Sequence, residues 1–117
     1  MIDKLACSIY MVDPQGAAEV AEAHGYESGW TSESYATDCF TPLAWWGAKT
    51  TTMRLGTSVA QMAARAPTAT AMAAMTIDRL SGGRTVVGIG LSGPQVVEGW
   101  YGMPFEKPLR WTREYVK

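Results

Sequence analysis

Two short clusters in this chain carry groups suited to binding chemistry. The first is Gly88-Ile89-Gly90-Leu91-Ser92-Gly93-Pro94-Gln95, a glycine-containing loop that follows a short apolar stretch. Glycines and a serine at the C-terminal end of a strand let backbone N–H groups and a hydroxyl approach an anionic ligand. The spacing is formally that of a dinucleotide-binding turn, but Pro94 follows at once and no helix is expected to open at the glycines. The second cluster is Glu33-Ser34-Tyr35. Glu33 could accept a hydrogen bond from a bound group or orient a neighbour; the alternative is a solvated loop glutamate, and Asp38 carries the same ambiguity. Ser34 cannot act as a general acid or base near neutral pH without an activating partner.

These clusters need elements to hold them. Leu5 to Met11 reads as a strand, closed by Asp13, which can cap the next helix, and Pro14, which suits its first turn. Gln15 to Ala23 has alanines and Val20 at helical spacing, and Gly25 stops it. Ser28 to Ser32 reads as a second strand, with a polar loop from Glu33 to Phe40. Thr41-Pro42 repeats the cap-plus-proline signal and opens a helix through Ala48. Met53 to Gln61 is a third strand, and Pro67 opens a third helix whose Met72, Met75, Thr76, Ile77 and Leu80 give an apolar face expected to fill the core. Ser81-Gly82-Gly83 ends it, Thr85 to Leu91 is a fourth strand, and Leu109 to Lys117 opens a last helix. Strict alternation implies a parallel sheet with right-handed crossovers. In such folds ligands bind at the C-terminal ends of the strands, where both clusters fall.

Composition narrows the partners. The chain has 117 residues, 47% of them apolar, and a net charge of −1. That supports one domain over 1–117, well short of the roughly 250 residues of a complete eight-fold α/β barrel. With charges of both signs scattered, nucleic acid is not an expected partner. No apolar run approaches the roughly 20 residues of a membrane span, and Met1-Ile2-Asp3-Lys4 lacks the layout of a secretory signal, so a cytoplasmic protein is expected. Cys7 and Cys39 are expected to be reduced thiols. No ligand cluster for a metal is present, and His24, beside a helix-ending glycine, suits the helix dipole rather than catalysis. Trp45, Trp46, Trp100 and Trp111 read as core or interface residues.

From about Leu5 to Lys117 the chain resembles the N-terminal part of the luciferase-like flavin and deazaflavin oxidoreductases. The resemblance rests on Gly25 to Tyr35, on Arg54-Leu55-Gly56-Thr57-Ser58-Val59, on Asp78 to Arg84 with Gly88 to Gln95, and on Val96 to Gly102 and Arg113-Glu114-Tyr115. The Ser92-Gly93-Pro94-Gln95 and Thr41 to Trp46 segments look most like the branch using coenzyme F-420, an 8-hydroxy-5-deazaflavin. The resemblance implies the first part of a TIM (β/α)8 barrel, about four parallel strands with alternating helices, truncated relative to the family. It implies a deazaflavin, alternatively FMN, at the C-terminal mouth, held by Glu33, Ser34, Ser58, Val59, Ser92, Gly93, Pro94 and Gln95. At Ser58-Val59 the family often bends the strand through a non-proline cis peptide. Many members carry a histidine directly after the second-strand glutamate; here that residue is Ser34, so no catalytic histidine is carried over. The implied activity is hydride transfer between F-420 and a small organic substrate, in a homodimer. An FMN-dependent monooxygenase and a non-catalytic half-barrel, its strand edges unpaired, are the alternatives.

Overall fold

The computed structural model describes residues 4–9 and 16–117. The expected end of the first strand, the Asp13 cap and Pro14 lie outside the described residues. Four strands, β1 (Ala6–Ser8), β2 (Ser28–Thr31), β3 (Arg54–Gln61) and β4 (Thr85–Gly90), form one parallel sheet in sequential order. Helices α1 (Ala17–Ala23), α2 (Phe40–Lys49) and α3 (Pro67–Ser81) connect them, and α4 (Pro94–Val97) and α5 (Pro108–Val116) follow. This is the α/β alternation read from the sequence, with one addition. A one-turn helix does open after the glycine loop, at Pro94, where no helix was expected; Gly93 provides its N-cap carbonyl.

Helix ends follow local chemistry. The side-chain cap of α2 comes from Asp38, just before the N-cap Cys39, and not from Thr41: the Asp38 Oδ1 accepts the N–H groups of Phe40 and Thr41, each at 2.8 Å. Thr41 therefore lies inside the helix, and Asp38 is a structural carboxylate. These donors outweigh the burial that would raise it, so its carboxyl titrates below the usual range. At the other end of α3, Gly82 and Gly83 take φ of 74° and 84°, which only glycine adopts without strain. His24 caps α1, its ring bonded to the Val20 carbonyl at 2.8 Å.

The core lies between the sheet and the helices, around Leu43, Trp46, Met53, Leu55, Ala60 and Ile77. Met72 and Met75 do not join it: they are 59% and 65% exposed, and Leu80 is exposed too. The buried stripe of α3 runs instead through Thr70, Ile77 and Ser81, with Ala73 and Ala74 packed against the core. A Cβ at Gly47 would lie 3.5 Å from the Ser81 Cβ, so α2 and α3 approach through small residues and the long methionines turn outward. Among the tryptophans only Trp46 is fully buried; Trp111 is half-buried, and Trp45 and Trp100 are exposed.

Two charged side chains fasten the N-terminal end of the sheet. The Arg84 guanidinium donates to the carbonyls of Gly47, Thr50, Met53 and Ser81 and to the Thr50 hydroxyl, so the end of α2, the start of β3 and the end of α3 share one cation. Glu22 accepts the backbone N–H groups of Thr51, Thr52 and Met53 at 3.0, 2.7 and 2.7 Å. Partial burial pushes its carboxyl up, but the N–H groups outweigh that and hold it at about 2 against an ordinary 4.5. A depressed carboxyl contributes stability above its unfolded pKa and loses it as pH falls through the folded one. Glu22 is therefore expected to contribute about 1–2 kcal/mol at neutral pH, allowing for solvent screening, lost between pH 4.5 and 2. Urea midpoints across that range check this: Glu22→Gln should remove the corresponding part of the pH dependence, and an unchanged acid profile would contradict it.

Candidate functional site

The C-terminal ends of β2, β3 and β4 form a rim. At its centre is Glu33, just past β2. It is buried, not solvated, which corrects the solvent-exposed alternative. Arg65, which follows the 3-10 turn after β3, grips it with two charge-assisted bonds, 2.6 Å to Oε1 and 2.8 Å to Oε2. Oε2 also accepts the Gln61 backbone N–H at 2.9 Å and lies 3.7 Å from the Cys39 thiol. The Gln61 carboxamide returns a bond to the Glu33 carbonyl at 3.1 Å, and its Oε1 is buried without a donor among the described residues. Arg65 in turn covers the Phe40 ring, 5.0 Å from its centroid, and its carbonyl accepts the Tyr115 hydroxyl at 3.0 Å. One ion pair thus ties the β2–α2 loop to the β3–α3 loop, and a hydrogen bond carries the tie to α5.

The electrostatics follow from this pairing. Burial disfavours the charged guanidinium, but the bonds and charge of Glu33 outweigh it and raise Arg65 above its ordinary value. Burial and then the Glu33 charge push the Cys39 thiol up to about 12, so it is not a thiolate nucleophile near neutral pH. The same two causes, in that order, raise the Tyr101 phenol. Both cysteines are free thiols. No group of three or more metal-ligating side chains occurs among the described residues, and no helix there is long and apolar enough to cross a membrane.

The remaining candidates fall on the same rim. Ser58 and Val59 are exposed on β3, and the peptide bond between them is cis. The Val59 carbonyl accepts the Glu33 N–H at 3.4 Å, which joins two candidates directly. Ser34 exchanges backbone bonds with Thr37, forming a tight turn. Register places Gln61 beside Gly90, so Ser92, Gly93, Pro94 and Gln95 continue from the strand next to Ser58 and Val59. Ser92 has a φ of 63° at the bend into α4. Gly88 and Gly90 have a packing reason to be glycine: a Cβ on either would meet Thr57 O or the Val59 side chain within 2.5 Å. An apolar groove of about 400 Å³ runs between the β3–α3 connection and α5, lined by Met62, Pro67, Met103 and Trp111 and reaching Arg65, but it includes none of Glu33, Ser34, Ser58, Val59 or Ser92 to Gln95.

Arg65 and Gln61 escaped the sequence reading. A signal existed for Arg65: it is the sole cation between Arg54 and Arg79, in a stretch of small and apolar residues, and such a charge needs a partner.

Comparison with known proteins agrees with this architecture. The family model described as luciferase-like monooxygenase matches residues 14–117. The chain belongs to this family. A Mycobacterium tuberculosis protein provisionally named a coenzyme F-420-dependent oxidoreductase is 58% identical over 106 residues, which is 88% of this chain and 30% of that protein. The coenzyme F-420-dependent tetrahydromethanopterin reductase of Methanopyrus kandleri superposes with a TM-score of 0.76 at 25% identity, over 97% of this chain and 38% of its own. The monooxygenase RslO1 of Streptomyces bottropensis shares the fold, with a TM-score of 0.81 at 22% identity, over 97% and 40%. The chain therefore spans about a third of the length of these luciferase-like relatives. Its four β/α units correspond to part of the TIM-barrel fold of these relatives.

Proposed function

We propose that this chain forms the cofactor-side rim of a coenzyme F-420-dependent oxidoreductase that moves a hydride between the deazaflavin and a small organic substrate. The observation that carries this is the exposed shelf where β3 and β4 end, with the Val59 side chain lying over Gly90. Ser58 and Val59 stand exposed there, and the neighbouring Gly88 and Gly90 have no side chains. A planar ring system can rest on such a surface. Ser58 and Val59 would support the ring, and the backbone and hydroxyl of 92–95 would meet the anionic tail. Bound there, the deazaflavin supplies the hydride chemistry.

The chain's own groups favour hydride delivery over chemistry that needs a side-chain proton donor. Glu33 is engaged by Arg65 and Gln61, so its work is to hold the rim. Ser34 has no acid–base capacity near neutral pH on its own. The named activity of the Mycobacterium tuberculosis relative supports the same reading. By the resemblance, a cytoplasmic homodimer completes the proposal.

Equilibrium binding followed by fluorescence, with F-420 and FMN titrated separately, tests it. Selective F-420 binding is the expected result. Tighter FMN binding would favour a flavin-dependent monooxygenase, and binding of neither would remove the cofactor reading for this chain.

A further inference from the structure

Beside the shelf stands an aromatic wall that the packing does not require. Tyr35 is 83% exposed, yet its ring stacks on Trp100 at 4.6 Å between centroids and 26° between planes. Trp100 is itself 44% exposed and continues to Tyr101 at 5.2 Å. Both rings rest on fixed backbone. Tyr35 is in the two-residue tip of the turn closed by Ser34 and Thr37. Trp100 and Tyr101 both donate their N–H groups to the Val96 carbonyl at 3.0 Å. The wall also adjoins the shelf: Tyr35 lies two residues beyond Glu33, whose N–H is bonded to Val59. Two residues span at most about 7 Å of backbone.

The wall's loops carry no cationic side chain. Positions 31–39 and 90–103 contain no lysine, arginine or histidine. Their three carboxylates are engaged within the chain: Glu33 by Arg65, Asp38 by the start of α2, and Glu98 by the Phe105 N–H at 3.1 Å. Asp38 and Glu98 keep their negative charge in these bonds, so the loops offer ring faces and carboxylates but no cation to hold an anionic group. A pre-ordered aromatic surface binds flat conjugated molecules without first ordering itself.

We infer that Tyr35 and Trp100 form the substrate-facing wall of the site and select an uncharged, planar, conjugated molecule over an anionic one. The word substrate rests on the shelf holding the cofactor; the ring preference does not. The test uses this chain with 2-naphthol and 2-naphthyl phosphate as matched probes, followed by tryptophan fluorescence and saturation-transfer NMR. Saturable 2-naphthol binding is expected, no tighter binding of the phosphate, about 5-fold weaker naphthol binding in Tyr35→Ala, and affinity within about 2-fold of the parent in Tyr35→Phe. Circular dichroism confirms that both variants are folded. Equal naphthol affinity in Tyr35→Ala, a preference for the phosphate, or no saturable binding would overturn the inference. F-420 is titrated in parallel. An equal loss of F-420 affinity in Tyr35→Ala would overturn the substrate assignment by placing the cofactor on the wall. If F-420 does not bind while naphthol binding still depends on Tyr35, the cofactor reading fails and the ring site stands.

Discussion

Arg65→Ala is expected to destabilise this chain by about 3–5 kcal/mol, because it leaves a buried carboxylate without its counter-charge. Glu33 keeps the Gln61 N–H at 2.9 Å, but one neutral donor does not replace two charge-assisted bonds at 2.6 and 2.8 Å. The effect should be asymmetric. The Arg65 side chain is more exposed than that of Glu33, 21% against 5%, so a guanidinium that loses its partner can turn to water. Glu33→Gln, which keeps the shape and removes the charge, is therefore expected to cost less, about 1–3 kcal/mol. The double variant Glu33→Gln/Arg65→Met should recover part of the Arg65→Ala loss, since it removes both charges while filling the space. Urea unfolding of the four proteins measures all three differences. A cost below about 1 kcal/mol for Arg65→Ala would mean that the pair behaves as a screened surface bridge, and the rim would then need another explanation for its fixed geometry.

That pair also marks the boundary of what the sequence reveals. Strand and helix order are legible because they are written locally. Pro67 at the start of α3, the glycines at 82 and 83, and the short apolar runs each act within a few residues. The candidate rim is legible as two places, the residues after β2 and those after β4, because parallel topology sends both to the same end of the sheet. The partners of Glu33 are not legible, since Gln61 and Arg65 lie 28 and 32 residues away and meet it only through strand register. The face of α3 fails for a related reason. Its methionines have the right period, but so does the stripe through Thr70, Ile77 and Ser81, and the choice between them depends on how closely α2 approaches at Gly47. Periodicity says that a helix has a buried side without saying which of two stripes a neighbour of a given shape will accept. The Asp38 cap shows the same limit on a small scale: the cap-plus-proline signal points to Thr41-Pro42, and the reach of the Asp38 carboxylate to two N–H groups overrides it.

Gly88 supplies the other large effect. Gly88→Ala is expected to cost about 2–4 kcal/mol, by overpacking and by loss of adjoining hydrogen bonds. A Cβ built there lies 2.3 Å from the Thr57 carbonyl oxygen, and that neighbour is backbone that cannot swing aside as a side chain can. The two residues are also clamped to each other. The Thr57 hydroxyl donates to the Gly88 carbonyl at 2.7 Å and accepts the Gly88 N–H at 2.9 Å. Relieving the clash means breaking this exchange just before the register shift between Thr57 and Ala60, the stretch that presents Ser58 and Val59. Gly83→Ala is the control. Nothing lies within 4 Å of its Cβ position, so only its φ of +84° is penalised, at about 1–2 kcal/mol. If thermal and urea unfolding give Gly88→Ala no larger a loss than Gly83→Ala, the close approach of β3 and β4 is wrong. If the ordering holds, the first two glycines of the G-x-G-x-x-G spacing are accounted for by strand packing. They would then shape the rim by letting β3 press against β4, and any phosphate contact would fall to the residues from Ser92 onward.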